Sequence, residues 1–194
     1  MIDNIEIIKQ LLEFKSEDDF YHLQVLKRKK ENPDLGSNSY VVKTYYITSI
    51  EYLDKKYEEI KTLCNLHNAR ASINLNKRSF EKTAFHLMKK VCDQIMNKDF
   101  KSVKKAYESV CGSYSNETNK KWILDMDTNE DFELRISTLL NPIEPVGNKV
   151  LCKIPTKNGY HLITSPFNVE KFKKLFPEVD IHKDNPTLLY MSTQ

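Results

Sequence analysis

The sequence has no CxxC pair and no cysteine and histidine cluster at zinc-finger spacing; Cys64, Cys92, Cys111 and Cys152 stand far apart. That spacing excludes a zinc-finger framework and reads as four reduced thiols. No stretch approaches the roughly 20 apolar residues that cross a bilayer. Residues 1–14 interleave apolar positions with Asp3, Glu6 and Lys9, which is neither the basic start nor the apolar run of a signal peptide. A cytoplasmic protein without membrane contact is the expectation. Walker lysine, GxGxxG and HExxH motifs are also missing, which removes the common signatures of P-loop, dinucleotide and zinc-protease sites. Charge of one sign is scarce too: 30 basic against 27 acidic residues leave +3, which neither demands nor forbids a local basic cleft.

What is present is ordinary globular composition, 40% hydrophobic and 29% charged over 194 residues, enough for one compact domain over residues 1–194. Ile5, Ile8, Leu11 and Leu12 fall at helical spacing and predict a helix over residues 3–14. Apolar alternation predicts strands at 20–27 and 40–47, and the breaker-rich loop Asn32-Pro33-Asp34-Leu35-Gly36-Ser37-Asn38 makes them a hairpin. A charged helix at 50–66 precedes a strand at 69–76, with Ala69, Ala71, Ile73 and Leu75 on one face and Arg70, Ser72, Asn74 and Asn76 on the other. Ser79 opens a helix at 80–97 whose apolar stripe is Phe85, Met88, Val91, Cys92 and Ile95. A further helix is expected at 100–111.

From residue 121 the pattern becomes a strand at 121–126, a helix at 129–140, and strands at 149–154 and 160–164. A helix at 168–176 and strands at 179–182 and 188–191 follow. The fold class is therefore α/β (α+β): an N-terminal α/β portion, residues 1–118, and a β-α-β-β-α-β, ferredoxin-like portion, residues 119–194.

Three places carry chemistry. In Trp122-Ile123-Leu124-Asp125-Met126-Asp127 two carboxylates alternate with an apolar residue, so on a strand both share a face and suit one hard cation. The bland alternative is a strand-end turn that caps the next helix. In Lys157-Asn158-Gly159-Tyr160-His161 a lysine and a histidine flank a glycine turn, able to meet phosphate, or forming a plain hairpin with a core histidine. Val179-Asp180-Ile181 sets an acid in a short apolar strand. Basic residues Arg70, Lys77, Arg78 and Arg135 are candidates for template or triphosphate contact, each weighed against a solvated surface. The run Lys27-Arg28-Lys29-Lys30 has the same two readings, with the solvated turn preferred.

The order hhhDhD, then Gly-x-His with His161 36 residues after Asp125, then hD with Asp180 19 residues later, resembles the three motifs of the archaeo-eukaryotic primase superfamily. Lys157-Asn158-Gly159-Tyr160-His161-Leu162 looks like the second motif of its primase-polymerase branch. The resemblance covers residues 121 to 192. It implies that Asp125, Asp127 and Asp180 hold Mg²⁺ or Mn²⁺ and act in catalysis, and that His161, with Lys157 beside it, contacts the nucleotide. It further implies nucleoside triphosphates and a single-stranded nucleic-acid template as ligands, and a helicase or other replication protein as partner. The expected activity is nucleotidyl transfer; the alternative is a non-catalytic nucleic-acid-binding module on the same fold. A tyrosine-dependent initiator nuclease ranks last, because that chemistry wants paired metal-binding histidines and His161 has no such neighbour in sequence.

Overall fold

Period-two alternation in the first third of the chain produces two long strands, and a short helix leads into them. The computed structural model describes residues 1–115, 117–126 and 130–192, with the backbone alone at 130–133. Strand β1 (Ile2–Asp3) is followed by helix α1 (Ile5–Lys9), then by the hairpin of β2 (Asp19–Arg28) and β3 (Ser39–Ile47). The helix expected over 3–14 is cut short, because Leu11 and Leu12 donate to Ile8 and Lys9 three residues back and tighten the turn to its end.

Helix α2 (Ile50–His67) starts at Ser49, whose hydroxyl accepts from the Tyr52 amide, and ends at Asn68 in the left-handed conformation at φ 46°. Strands β4 (Arg70–Asn74) and β5 (Arg78–Ser79) follow, and Ser79 caps helix α3 (Phe80–Met96) by accepting from the Lys82 amide. A 3-10 turn (Val103–Lys105) leads into helix α4 (Ala106–Ser113). The second half runs β6 (Trp122–Met126), α5 (Glu130–Leu140), β7 (Val150–Pro155), β8 (Tyr160–Thr164), α6 (Val169–Leu175), β9 (Asp180–His182) and β10 (Pro186–Met191).

The chain is a mixed α/β protein with two antiparallel sheets. The first has the order β1-β10-β4-β2-β3, with β5 also on β2; the second has the order β7-β8-β6-β9. The last strand thus leaves its sequence neighbours and pairs with β1 and β4, so the N-terminal portion takes in residues 186–191 as well as the stretch before 119. Leu23, Val25, Ala71 and Ile73 pack with Leu53, Tyr57 and Ile60 of α2 in one core, which extends to Ile123, Ile154 and Ile163 of the second sheet. A second core lies on the other face of β6 and β8, where Leu124, Met126 and Leu162 meet Ile136 and Leu140 of α5 and Phe172 of α6.

The polar residues of β4 and β5 hold the sheets together. Asn74 Nδ2 donates to the Asp184 carbonyl at 2.7 Å, and Asn76 receives the Lys121 amide at 2.7 Å while donating to the Lys121 and Lys183 carbonyls. Arg78, fully buried, donates to both carboxylate oxygens of Asp184 at 3.2 and 3.0 Å and to the Cys111 carbonyl at 2.8 Å. Asn4, 2% exposed, bridges the Pro155 and Leu188 carbonyls at 2.9 Å each.

At the far side of the first sheet Glu108 of α4 accepts from Tyr46 at 2.7 Å and from His22, Gln24 and Thr44 at 3.2 Å. Burial opposes the charge on Glu108, yet the donations from Tyr46, His22 and Thr44 together hold its carboxyl below the ordinary value of 4.5. Burial also pushes His22 below its ordinary 6.5, against the pull of Glu108, so a neutral imidazole donates to an ionised carboxylate.

Two stability predictions follow from these polar groups. Asp184→Ala strands the buried Arg78 guanidinium and should cost about 3 kcal/mol in urea unfolding; a loss under about 1 kcal/mol, the worth of an exposed pair, would show that the tie is dispensable. For pH, both groups have depressed folded values, so their stabilisation is complete above 6.5 for His22 and 4.5 for Glu108 and is lost as pH falls through the folded values. The urea midpoint should decline in two stages below pH 6.5, and Glu108→Gln should make the stage below 4.5 smaller without abolishing it, since Asp19 and Glu59 are also held below their ordinary values; an unchanged acid limb in that variant would contradict the assignment.

Candidate functional site

The second sheet turns one face toward the first, and side-chain alternation decides what stands on it. On β6 the residues with Ile123's parity share that face, so Asp125 lies on it. Antiparallel register places His161 of β8 opposite Asp125 on one side and Asp180 of β9 opposite it on the other. The three sequence-predicted residues therefore form one cross-strand row, Asp180, Asp125, His161. Directly opposed residues have Cβ atoms about 5 Å apart.

Within the row, His161 Nε2 lies 3.6 Å from Asp125 Oδ1, and His161 Nδ1 is 2.8 Å from the hydroxyl of Thr187, a buried residue of β10. The imidazole therefore spans from the second sheet to the first. The Asp125 side chain is 40% exposed and opens to solvent. Asp127, the second acid of the DxD pair, lies outside the described residues. Among the described residues no group of three or more His, Cys, Asp or Glu side chains is placed to hold a metal ion. Asp125 and Asp180 thus supply two of the three expected carboxylates.

A cleft of ≈ 550 Å³ opens between the sheets over Asp125 and His161. Asp125, His161 and His182 line its floor, and the β7–β8 turn contributes Thr156, Lys157 and Asn158. The opposite wall comes from the first sheet, with Arg28 and Lys30 at the end of β2 and Arg70 and Ser72 on β4. Arg70 is paired with Glu31, and its Nε is buried without a partner; burial lowers its guanidinium's pKa, opposed by Glu31. Arg28, Lys30 and Lys157 form no ion pair among the described residues. Three cations without an ion pair among the described residues thus surround Asp125, whose carboxylate has His161 beside it, on a concave surface that concentrates positive potential. Asp180 is exposed in the same row but does not line the cleft.

The remaining basic candidates fall elsewhere. Lys77 is buried and paired with Asp19 at 2.9 Å, and Arg78 is the interior tie to Asp184. Neither reaches solvent, which corrects the expectation that they meet phosphate. Arg135 is exposed on α5, with its guanidinium 5.8 Å from the Phe176 ring centroid, and does not line the cleft. Arg70 does. Arg28 and Lys30, read from sequence as a solvated turn, are exposed and also line the cleft, because the pairing of Leu26 with Arg70 brings that strand end over the site. In comparisons with known proteins, no family model, curated protein or solved structure matches this chain.

The charge distribution alone gives a prediction independent of any reaction. Inorganic tripolyphosphate should bind with an affinity that falls as salt rises, and Arg28→Ala and Lys157→Ala should each weaken it about fivefold, roughly 1 kcal/mol of screened attraction. Calorimetric titration reads this directly; variants that bind as tightly as the parent protein would place the anion elsewhere.

Proposed function

We propose that the chain is a primase-polymerase-like nucleotidyltransferase that joins nucleotides on a nucleic-acid template with the aid of Mg²⁺ or Mn²⁺. The observation that carries this reading is the row Asp180, Asp125, His161, of which Asp125 and His161 line a cleft edged by Arg28, Lys30, Arg70 and Lys157. The strand order β7-β8-β6-β9, with α5 and α6 following its first and third strands in sequence, supports a ferredoxin-like core for that site.

Asp125 and Asp180 are the residues that would hold the divalent ion, whose hard oxygen preference they match, with Asp127 as the third carboxylate. When bound, such an ion supplies charge neutralisation at the reacting phosphate and acidifies the attacking hydroxyl. The chain's own residues orient and screen. His161, fixed from behind by Thr187, presents its other ring nitrogen beside Asp125 and donates to a phosphate oxygen. Lys157, Arg28 and Lys30 neutralise the remaining phosphate charge, and Arg70 braces that wall. The alternative, a binding module without turnover, draws on the small number of described ligands, two carboxylates in one row.

Primer extension separates the two. Wild-type protein with Mn²⁺ should extend a primed template, and Asp125→Asn should lower the rate by at least about a thousandfold, the scale of losing a group that acts on the transition-state charge, with the melting temperature retained. His161→Ala should raise the nucleotide KM by about tenfold or more. Folded wild-type protein that binds neither Mn²⁺ nor nucleotide would sink the reading, and strand binding indifferent to chelation would hand it to the alternative.

A further inference from the structure

Helix α3 carries the apolar stripe that its periodicity predicts but does not bury it. Over its 17 residues Thr83 is the one buried residue, whereas α2, of similar length, buries Leu53, Tyr57, Ile60 and Cys64. Phe85 is 61% exposed, Met88 61%, Ile95 50% and Met96 80%, and Cys92 is exposed among them. Their spacing puts them on one side of the helix, a convex apolar ridge about 17 Å long at 1.5 Å per residue. Phe100, 64% exposed, extends it past the helix end.

Charge identifies what can cover this ridge. Residues 81–105 hold seven lysines against three acids, a local +4 where the whole chain carries +3. Lys89, Lys98, Lys101, Lys104 and Lys105 are exposed and form no ion pair among the described residues. A second copy of the same face would set +4 against +4. The segment contains no arginine, tryptophan or tyrosine, the residues that dominate the hot spots of protein interfaces, and it is rich in lysine, which interfaces lack. A nucleic acid would engage the lysines and leave the apolar ridge in water. An apolar helix face rimmed by lysine is the composition of a helix lying in a lipid interface.

We propose that α3 and the segment through Lys105 form a docking surface for an anionic lipid bilayer. The ridge enters the boundary between headgroups and acyl chains, and the lysines meet headgroup phosphates. This departs from the expectation of no membrane contact, which had considered only spanning segments and a signal peptide. It does not rest on the reading of the cleft, since no cleft-lining residue comes from 80–113.

Vesicle flotation of the full chain at about 0.1 M salt tests it. The protein should float with phosphatidylcholine vesicles containing phosphatidylglycerol and stay behind with phosphatidylcholine alone. Met88→Ser/Met96→Ser, at exposed sites that leave the melting temperature unchanged, and Lys101→Glu/Lys105→Glu should each cut the bound fraction about tenfold, in line with the surface worth of a lysine. Three results would overturn the proposal. They are no flotation of the wild type, unimpaired flotation of the methionine variant, and a concentration-dependent dimer in solution that the methionine variant abolishes.

Discussion

The cleft exists because a buried guanidinium is tied to a carboxylate across two sheets. Arg78 leaves β5 into the interior and ends on Asp184, in the link between β9 and β10. Asn74 and Asn76 repeat the tie on the backbone of residues 121, 183 and 184. Unpaired, such groups would each cost more than an ordinary hydrogen bond returns, so the two sheets have one arrangement in which this polar stripe is satisfied. Apolar contact alone between the sheets, Ile123, Ile154 and Ile163 against the first core, has no comparable directionality.

That arrangement decides the chemistry available. One end of the polar face of the first sheet is closed by Glu108 and its four donors; the other end carries Arg28, Arg70 and Ser72 and stays open over Asp125 and His161. His161 touches both sides, through Thr187 on the first sheet and Asp125 on the second. A polar residue in that position reports directly on how the two sheets sit. The floor supplies the Asp125 carboxylate, and Arg28, Lys30 and Lys157 stand around the cleft without an ion pair among the described residues, which leaves charges of both signs for a ligand with its own metal and phosphate groups.

Much of the fold was legible because it is written in local signals. Ser79 accepts from the amide three residues on, as its position ahead of an apolar periodic segment implied, and Ser49 and Asn168 do the same at the starts of α2 and α6. The row of Asp125, His161 and Asp180 was also legible, since the split β-α-β-β-α-β order sets its first strand between its third and its fourth. What escaped was non-local. Nothing near Arg28 announces that β2 pairs with β4 and hangs that arginine over a site a hundred residues away. Nothing near Leu188 announces that β10 returns to β1. The stripe of α3 misled for a different reason: helical periodicity says that a face is apolar, not what lies against it.

The most direct test of the central claim, that Asp125, Asp180 and His161 belong to one metal and phosphate site, is a crystal structure with Mn²⁺ and a non-hydrolysable nucleoside triphosphate. Manganese should appear in anomalous density against the Asp125 and Asp180 carboxylates, with phosphate oxygens within hydrogen-bonding reach of His161 and Lys157. A nucleotide seated away from this row, or manganese bound at neither carboxylate, would contradict it.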